Sequence, residues 1–123
     1  MRGGDRTALG LWGEEQAARH LKWRGYRIVE RRYRCREGEI DLVAVRGRYL
    51  CFVEVKLRKN AALAEAREFV TPAKQRKVRT AALHYLMEHP TDRQPRFDVV
   101  EVYAPQGMQT RHPVIRHLED AFQ

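Results

Sequence analysis

The chain has 123 residues, of which 43% are hydrophobic and 33% are charged, and it carries a formal net charge of +8. A chain of this length can bury a core without disulfides or a structural metal, and we expect one domain over residues 1–123. The composition is that of a soluble globular protein with a heavily charged surface, and the lack of a run of about 18 apolar residues excludes a membrane span.

The first predicted element is a helix over residues 7–24, and Gly25 follows it as a C-terminal stop. One face of this helix, at helical spacing, carries Leu11, Glu14, Ala17, Ala18 and Leu21. An extended segment over residues 26–33 comes next. Residues 39–45 and 49–56 are then predicted to form a β-hairpin around a turn at Gly47.

The second half of the chain repeats this alternation of helix and strand. Residues 57–69 are rich in alanine and are compatible with either a helix or a loop. Thr71 and Pro72 are a typical helix start, and the helix should continue to about Glu88. Strands are expected at residues 97–103 and 114–118. The order αβββαβ predicts an α/β fold with a central mixed sheet flanked by helices.

Two cysteines, Cys35 and Cys51, lie outside any Cys-x-x-Cys pair, so reduced thiols are expected rather than a disulfide or a zinc site. The amino-terminal residues 1–5 are polar and lack the apolar stretch of a signal peptide. Both features predict a cytoplasmic protein that makes no membrane contact.

Positive charge is concentrated in two segments. Residues 19–36 contain eight arginines and lysines against one acid, Glu30, and a second basic cluster lies at residues 74–79. A basic surface attracts phosphates regardless of nucleic-acid sequence, and the planar guanidinium of arginine suits phosphate oxygens. An ordinary solvated basic surface is the alternative, and membrane headgroups or acidic proteins would be attracted as well.

Charged residues interrupt two otherwise apolar strands. Asp41 lies within the stretch GEIDLV at residues 38–43, and Glu54 and Lys56 lie within FVEVK at residues 52–56. Such side chains are rarely buried unless they are paired or bind a metal. Residues two apart on a strand share a face, so Glu54 and Lys56 should lie together, with Asp41 beside them on the preceding strand.

Two converging carboxylates can hold Mg²⁺ or Mn²⁺, which prefer oxygen ligands. A lysine two residues along can orient a water molecule or stabilise the negative charge that develops on a phosphodiester. The alternative is an ordinary half-exposed strand that presents Glu39, Asp41, Glu54 and Lys56 to solvent.

The spacing of Asp41, Glu54 and Lys56 resembles the PD-(D/E)XK nuclease signature. Ile40 stands where that signature has proline, as it does in the branch that resembles archaeal Holliday-junction resolvases. Over most of its length the chain is similar to the YraN family of small bacterial proteins. Arg32 stands where that family more often has asparagine. The matching stretches are residues 10–17, 38–43, 52–58, 74–75, 81–86 and 96–99.

The resemblance implies a restriction-endonuclease-like fold in which Asp41 and Glu54 bind a divalent metal and Lys56 assists catalysis. Glu14 matches the first-helix glutamate that completes the metal site in resolvase-like relatives. Its place on the apolar stripe agrees with that role, although an acid near a helix N-terminus is also favoured by the helix dipole.

Other residues are candidates for supporting roles. Gln75, on the core-facing stripe of the second helix, and Glu39 are candidate accessory residues. The five histidines show no ligand spacing and are expected to be surface or packing residues. Asp98 is expected to pair with Arg96 or with a nearby helix end. The candidate nucleic-acid contacts are Arg31, Arg32, Arg34, Arg36, Arg58, Lys74 and Lys77.

These features favour a metal-dependent nuclease that hydrolyses nucleic acid, with DNA favoured over RNA and branched DNA among the candidate substrates. The alternative is a nucleic-acid-binding protein that keeps the fold without turnover. The sequence leaves open whether the chain forms a homodimer.

Overall fold

The computed structural model describes residues 7–59 and 71–123. The predictions for residues 1–5 and for most of the alanine-rich stretch 57–69 lie outside these ranges. The described elements are α1 (Ala8–Trp23), β1 (Arg27–Arg34), β2 (Glu39–Arg46), β3 (Tyr49–Arg58), α2 (Pro72–Glu88), β4 (Gln94–Tyr103), a 3₁₀ turn (Gly107–Gln109) and β5 (Val114–Phe122).

Both helices begin where the sequence predicts. The Thr7 hydroxyl accepts a hydrogen bond from the Gly10 amide at 2.9 Å, and the Thr71 hydroxyl accepts one from the Lys74 amide at 3.2 Å. A threonine N-cap satisfies one of the amides that a helix start otherwise leaves without a partner. Neither helix has the length and hydropathy of a membrane span, a finding that covers the described residues.

Five strands form one mixed sheet in the order β1-β2-β3-β4-β5. Neighbouring strands are antiparallel except β3 and β4, which are parallel and are connected through α2. This arrangement confirms the predicted α/β fold with a central mixed sheet. It is compatible with a restriction-endonuclease-like core, and β5 extends to Phe122 rather than ending at 118.

The two helices cover opposite faces of the sheet. On β3, Cys51 and Val53 pack under α1, whereas Phe52 packs under α2. The predicted stripe of α1 is buried from Glu14 to Leu21, but its first member is not in the core. Leu11 is 43% exposed, and the buried residues of the helix begin only at Gly13.

The alternation of β2 is interrupted near its beginning. Ile40 and Val43 both join the cluster under α2, although they are three residues apart, and Leu42 between them packs under α1. A regular strand sends residues two apart to one face. The interruption therefore falls at Asp41, so the path of β2 changes at the predicted site residue.

Arg32 on β1 has a positive φ of 51°. It lies between the ladder pairs Arg31–Leu42 and Tyr33–Ile40, at the register position opposite Asp41. The left-handed region costs most L-residues roughly 1–2 kcal/mol, whereas asparagine tolerates it better. The positive φ would therefore give a conformational reason for the asparagine that the resemblance implies at this position.

We expect Arg32→Asn to stabilise the fold by about 1 kcal/mol, which corresponds to a rise in Tm of roughly 4 °C for a domain of this size. Thermal unfolding followed by circular dichroism measures the change. Arg32→Ala is the matched control, because alanine removes the same charge without favouring a positive φ. Equal effects of the two substitutions would refute the conformational explanation.

Candidate active site

Asp41 lies where β2 and β3 separate. The last ladder pair of these strands at this end joins Leu42 and Val53. If the register continued, Val55 would lie opposite Ile40. Instead the Val55 amide donates to the Asp41 carboxylate, Oδ2, at 2.8 Å. Asp41 is only 8% exposed, so the gap between the strands is filled by a carboxylate.

Glu54 is the most deeply buried acid of the predicted set. It is 2% exposed and follows Phe52 at the two-residue spacing that places both on the α2 face of the sheet. Within the described part of the chain, its Oε1 lies 3.6 Å from the Lys74 ammonium, and its Oε2 has no hydrogen-bond partner. A buried carboxylate oxygen without a partner is costly and marks a position suited to a cation.

Burial raises the pKa of Glu54 to about 8, and the nearby Asp41 carboxylate adds to the rise. The positive charges of Lys74 and Lys56 act in the opposite direction and lower this pKa. The four side chains therefore form one electrostatic unit. The structure brings Asp41, Glu54 and Lys56 together as the sequence predicts, and it adds Lys74 from the first turn of α2.

A divalent cation fits this donor set. It would neutralise two adjacent carboxylates, and it would give the Glu54 Oε2 atom a partner, which no residue in the described ranges provides. A further lysine ammonium group at this place would neutralise one negative charge, but it would not hold an oxygen of Asp41 and an oxygen of Glu54 in fixed positions as a metal ion does. The pair could therefore hold a divalent ion that prefers oxygen ligands, such as Mg²⁺ or Mn²⁺.

Glu14 lies on α1, which packs on the other face of the sheet. It is 7% exposed and follows Gly13, where an added Cβ would come within 2.8 Å of the Leu57 side chain. This close approach brings the start of α1 to the end of β3. Among the described residues, the carboxylates of Glu14, Asp41 and Glu54 do not form a group of three ligand atoms within 4.8 Å of one another.

Four of the seven candidate nucleic-acid contacts line one cleft beside the carboxylates. This cleft, which we call the basic cleft, lies between the β1–β2 turn and the first turns of α2. Its cations are Arg34, Arg36, Lys74 and Lys77. Glu39, a candidate accessory residue, also lines it and forms an ion pair with Arg34 at 3.5 Å.

The other three candidates lie apart from the basic cleft. Arg31 binds Glu15 of α1 at 3.0 Å, and Arg58 binds the buried Glu101 at 3.4 Å. Arg32 occupies the left-handed position on β1. Gln75, the remaining accessory candidate, is half-buried in the first turns of α2, next to Lys74.

A second buried acid illustrates how this protein satisfies a structural carboxylate. Asp98, fully buried, accepts from the Arg96 guanidinium at 2.8 and 2.9 Å and from the Asp120 amide at 3.0 Å, and it lies 2.8 Å from His117 Nε2. Burial raises the pKa of Asp98, but the hydrogen bonds from His117, Arg96 and Asp120 outweigh it and lower the pKa. The predicted pairing with Arg96 is confirmed.

Sequence reasoning missed a cluster that borders the basic cleft. Cys35, Glu37 and His84 bring a thiol, a carboxylate and an imidazole within 4.8 Å of one another, and within the described ranges this is the one group of three such ligand atoms. Forty-nine positions separate the cysteine from the histidine, so ligand spacing along the chain gives no signal. Both cysteines are free thiols, as predicted.

Comparison with known proteins agrees with the predicted resemblance. The Uncharacterised protein family UPF0102, which corresponds to the YraN family, matches residues 13–102. A UPF0102 protein of Geotalea uraniireducens is 43% identical over 97% of this chain and 92% of its own length. UPF0102 proteins of Rhodococcus opacus and Clavibacter michiganensis are 43% and 47% identical over 94% and 88% of this chain, and over 96% and 92% of their own lengths.

The raised pKa of Glu54 predicts a pH-dependent penalty on stability. Between about pH 4.5 and about pH 8, Glu54 loses its proton in the unfolded chain and keeps it in the folded one, so stability falls as the pH rises through this window. Glu54→Gln should remove that fall and stabilise the protein at about pH 8 by about 2–4 kcal/mol relative to the wild type.

Urea unfolding across this pH window, without divalent ions, measures the difference. Glu30→Gln, on the half-exposed part of β1, is the matched control for the loss of one carboxylate. Adding Mg²⁺ should reduce the advantage of Glu54→Gln at about pH 8. Parallel profiles for wild type and Glu54→Gln would contradict the raised pKa.

Proposed function

The chain belongs to the UPF0102 family, whose description assigns no activity, and from the site itself we propose that it is a metal-dependent nuclease. The observation that carries the proposal is the buried Glu54 carboxylate, which lies beside Asp41 and two lysines and has an oxygen without a hydrogen-bond partner among the described residues. Perturbed acids next to specific charge partners are typical of functional sites.

Asp41 and Glu54 would hold the ion, Mg²⁺ or Mn²⁺. When bound, the ion supplies positive charge at the scissile phosphate and increases the acidity of a water molecule. The Val55 amide keeps the Asp41 carboxylate in place from one side, through the 2.8 Å hydrogen bond to Oδ2. The site is therefore preorganised before a substrate arrives.

Lys56 would act on the reacting phosphate. Its positive charge lowers the pKa of Glu54, and this interaction supports a role for Lys56 beside that carboxylate. In hydrolysis, water forms a bond to phosphorus while the P–O ester bond breaks, and negative charge develops on the phosphoryl oxygens. A fixed ammonium beside those oxygens stabilises that charge more than it stabilises the ground state.

The positive charge of the basic cleft is the basis for the proposed class of substrate. Arg34, Arg36 and Lys77 are exposed and lie on the approach to the carboxylates. A phosphate backbone that follows these cations would reach Lys74 and then Glu54, which are 3.6 Å apart. We propose nucleic acid as the substrate, with DNA favoured over RNA. Glu14 and Gln75 are proposed in supporting roles, Glu14 from α1 and Gln75 beside Lys74.

Binding without turnover is the second candidate, because the basic cleft would attract phosphates whether or not an ion is held beside it. The two candidates differ in one respect. A nuclease needs Asp41 and Lys56 for chemistry, whereas a binding protein needs only the cations of the cleft.

We therefore expect Asp41→Asn and Lys56→Ala each to lower the rate of cleavage by about 10²–10³-fold, the usual cost of removing one preorganised electrostatic group. Lys56→Ala should keep most of the nucleic-acid affinity, since it removes one of 24 lysines and arginines. Asp41→Asn should tighten binding, because a negative charge next to the phosphate is lost.

The measurement uses labelled single-stranded, duplex and branched DNA and RNA with Mg²⁺ or Mn²⁺. Lys22→Ala, on the exposed end of α1, is the matched control for the loss of one positive charge. Wild-type rates in both site variants, on a substrate that the protein cleaves, would rule out this site as the catalytic centre and would favour the binding protein.

A separate prediction concerns the basic cleft. The double variant Arg36→Glu, Lys77→Glu should weaken binding to all nucleic-acid sequences alike and should flatten its salt dependence. Each phosphate contact contributes about 0.9 to the slope of log K against log salt for duplex DNA, so the slope should fall by roughly two.

The matched control is Arg46→Glu, Arg48→Glu, which reverses the same number of charges around the β2–β3 turn, at the opposite end of β2 from the basic cleft. Affinity and slope measured by fluorescence anisotropy across a salt series distinguish the two surfaces. If both double variants lose the same affinity, the attraction comes from net charge and not from the cleft.

A further inference from the structure

Three different ligand types converge beside the basic cleft. Cys35 and Glu37 belong to the β1–β2 turn, and His84 belongs to α2. The distance from Cys35 Sγ to Glu37 Oε1 is 3.5 Å, and the distance from His84 Nε2 to Glu37 Oε1 is 3.2 Å. All three atoms lie within 4.8 Å of one another.

These distances suit a tetrahedral ion. With Zn–S near 2.3 Å and Zn–N or Zn–O near 2.0–2.1 Å, neighbouring ligand atoms in a tetrahedron are roughly 3.3–3.7 Å apart. Both measured contacts to Glu37 fall within about 0.2 Å of that range. The third separation, between Cys35 Sγ and His84 Nε2, is at most 4.8 Å and would need to close by at most about 1.5 Å, which a change in side-chain torsion angles can provide.

The scaffold around the cluster holds the turn against the helix. An added Cβ at Gly38 would come within 2.7 Å of the Lys77 carbonyl oxygen, so the turn and α2 are in close contact there. Tyr33 donates to the Glu88 carboxylate at 2.8 Å, and its ring packs edge-on against Tyr85. The ligands therefore come from two elements that are fixed relative to each other on both sides of the cluster.

We propose that Cys35, Glu37 and His84 form a binding site for a first-row transition-metal ion of the zinc class, with water as the fourth ligand. Thiolate and imidazole select zinc and cobalt over Mg²⁺, which prefers oxygen. On binding, the Cys35 thiol releases its proton to solvent and its sulfur bonds the ion, with no change of oxidation state. About half of the Glu37 and His84 side chains is exposed, which leaves room for water.

The bound ion would connect the β1–β2 turn to α2 across the wall of the basic cleft. Cys35 and Glu37 line that cleft together with Arg34 and Arg36. An occupied site would therefore fix the turn that carries these arginines and add positive charge beside them. This proposal does not depend on nuclease activity, since it involves neither Asp41 nor Glu54.

The test is a Co²⁺ titration of the metal-free full-length protein, read by thiolate-to-cobalt charge-transfer absorption. The Asp41→Asn, Glu54→Gln background removes binding at the carboxylate pair. Cys35→Ser should abolish the charge-transfer band. His84→Ala should weaken Co²⁺ and Zn²⁺ affinity at least about tenfold, because even groups outside the ligand shell contribute about 10–100-fold. His112→Ala, an exposed histidine away from the cluster, should bind like the background protein.

Alkylation of the Cys35 thiol gives a second measurement that does not require the variants to fold. Zn²⁺ should protect Cys35 from iodoacetamide, whereas Mg²⁺ should not, and the buried Cys51 serves as an internal reference. The proposal is overturned if saturating Co²⁺ gives no thiolate band, if the band survives Cys35→Ser, or if Zn²⁺ leaves the alkylation rate of Cys35 unchanged.

Discussion

The hydrogen bond from the Val55 amide to the Asp41 carboxylate is the contact on which the site depends. The amide of the half-buried Val55, at the point where two strands separate, needs an acceptor, and here the Asp41 side chain takes the place of the missing strand carbonyl. The bond fixes Asp41 next to β3 at the level of Glu54. It also accounts for the irregular path of β2, since the residue that fills the gap cannot follow the alternation of its neighbours.

The parallel pairing of β3 and β4 determines what lies opposite that gap. Two parallel neighbours need a crossover, and α2 lies on the crossover between them. The crossover brings the first turn of α2 beside Glu54, with the Lys74 ammonium 3.6 Å away. The positive end of the helix and its lysine partly offset the buried negative charge. The crossover thus places Lys74 beside Glu54, and the separation of β2 and β3 places Asp41 there.

The sequence predicted the elements and the central trio, because both follow from local patterns. Alternation placed Glu54 and Lys56 on one face, and the pair Thr71–Pro72 predicted the start of the second helix. The sequence did not predict which arginines are exposed or which groups they bind. The left-handed residue Arg32 lies between Arg31, which binds α1, and Arg34, which lines the basic cleft. Nothing in a run of arginines indicates where the chain changes direction.

The sequence could not predict how deeply Glu54 is buried, nor that one of its oxygens has no partner among the described residues. Comparison with Asp98 explains why these two features matter. Both acids are almost completely inaccessible. Asp98 has a partner on every side and a lowered pKa, so it can remain charged in the fold without a ligand. Glu54 has a raised pKa and an oxygen without a partner in the described structure.

The hydrogen bonds of Asp98 show that this fold can surround a buried carboxylate with partners. Glu54 lacks a comparable set within the described residues. Replacing Glu54 with an apolar residue that continues the pattern of Phe52 would remove the unfavourable burial altogether. Keeping a poorly satisfied acid beside a second carboxylate instead stores unfavourable free energy at one place, and a bound cation would release it. The difference between the two acids therefore supports the proposal that Glu54 serves chemistry, whereas the partners of Asp98 suit a structural carboxylate.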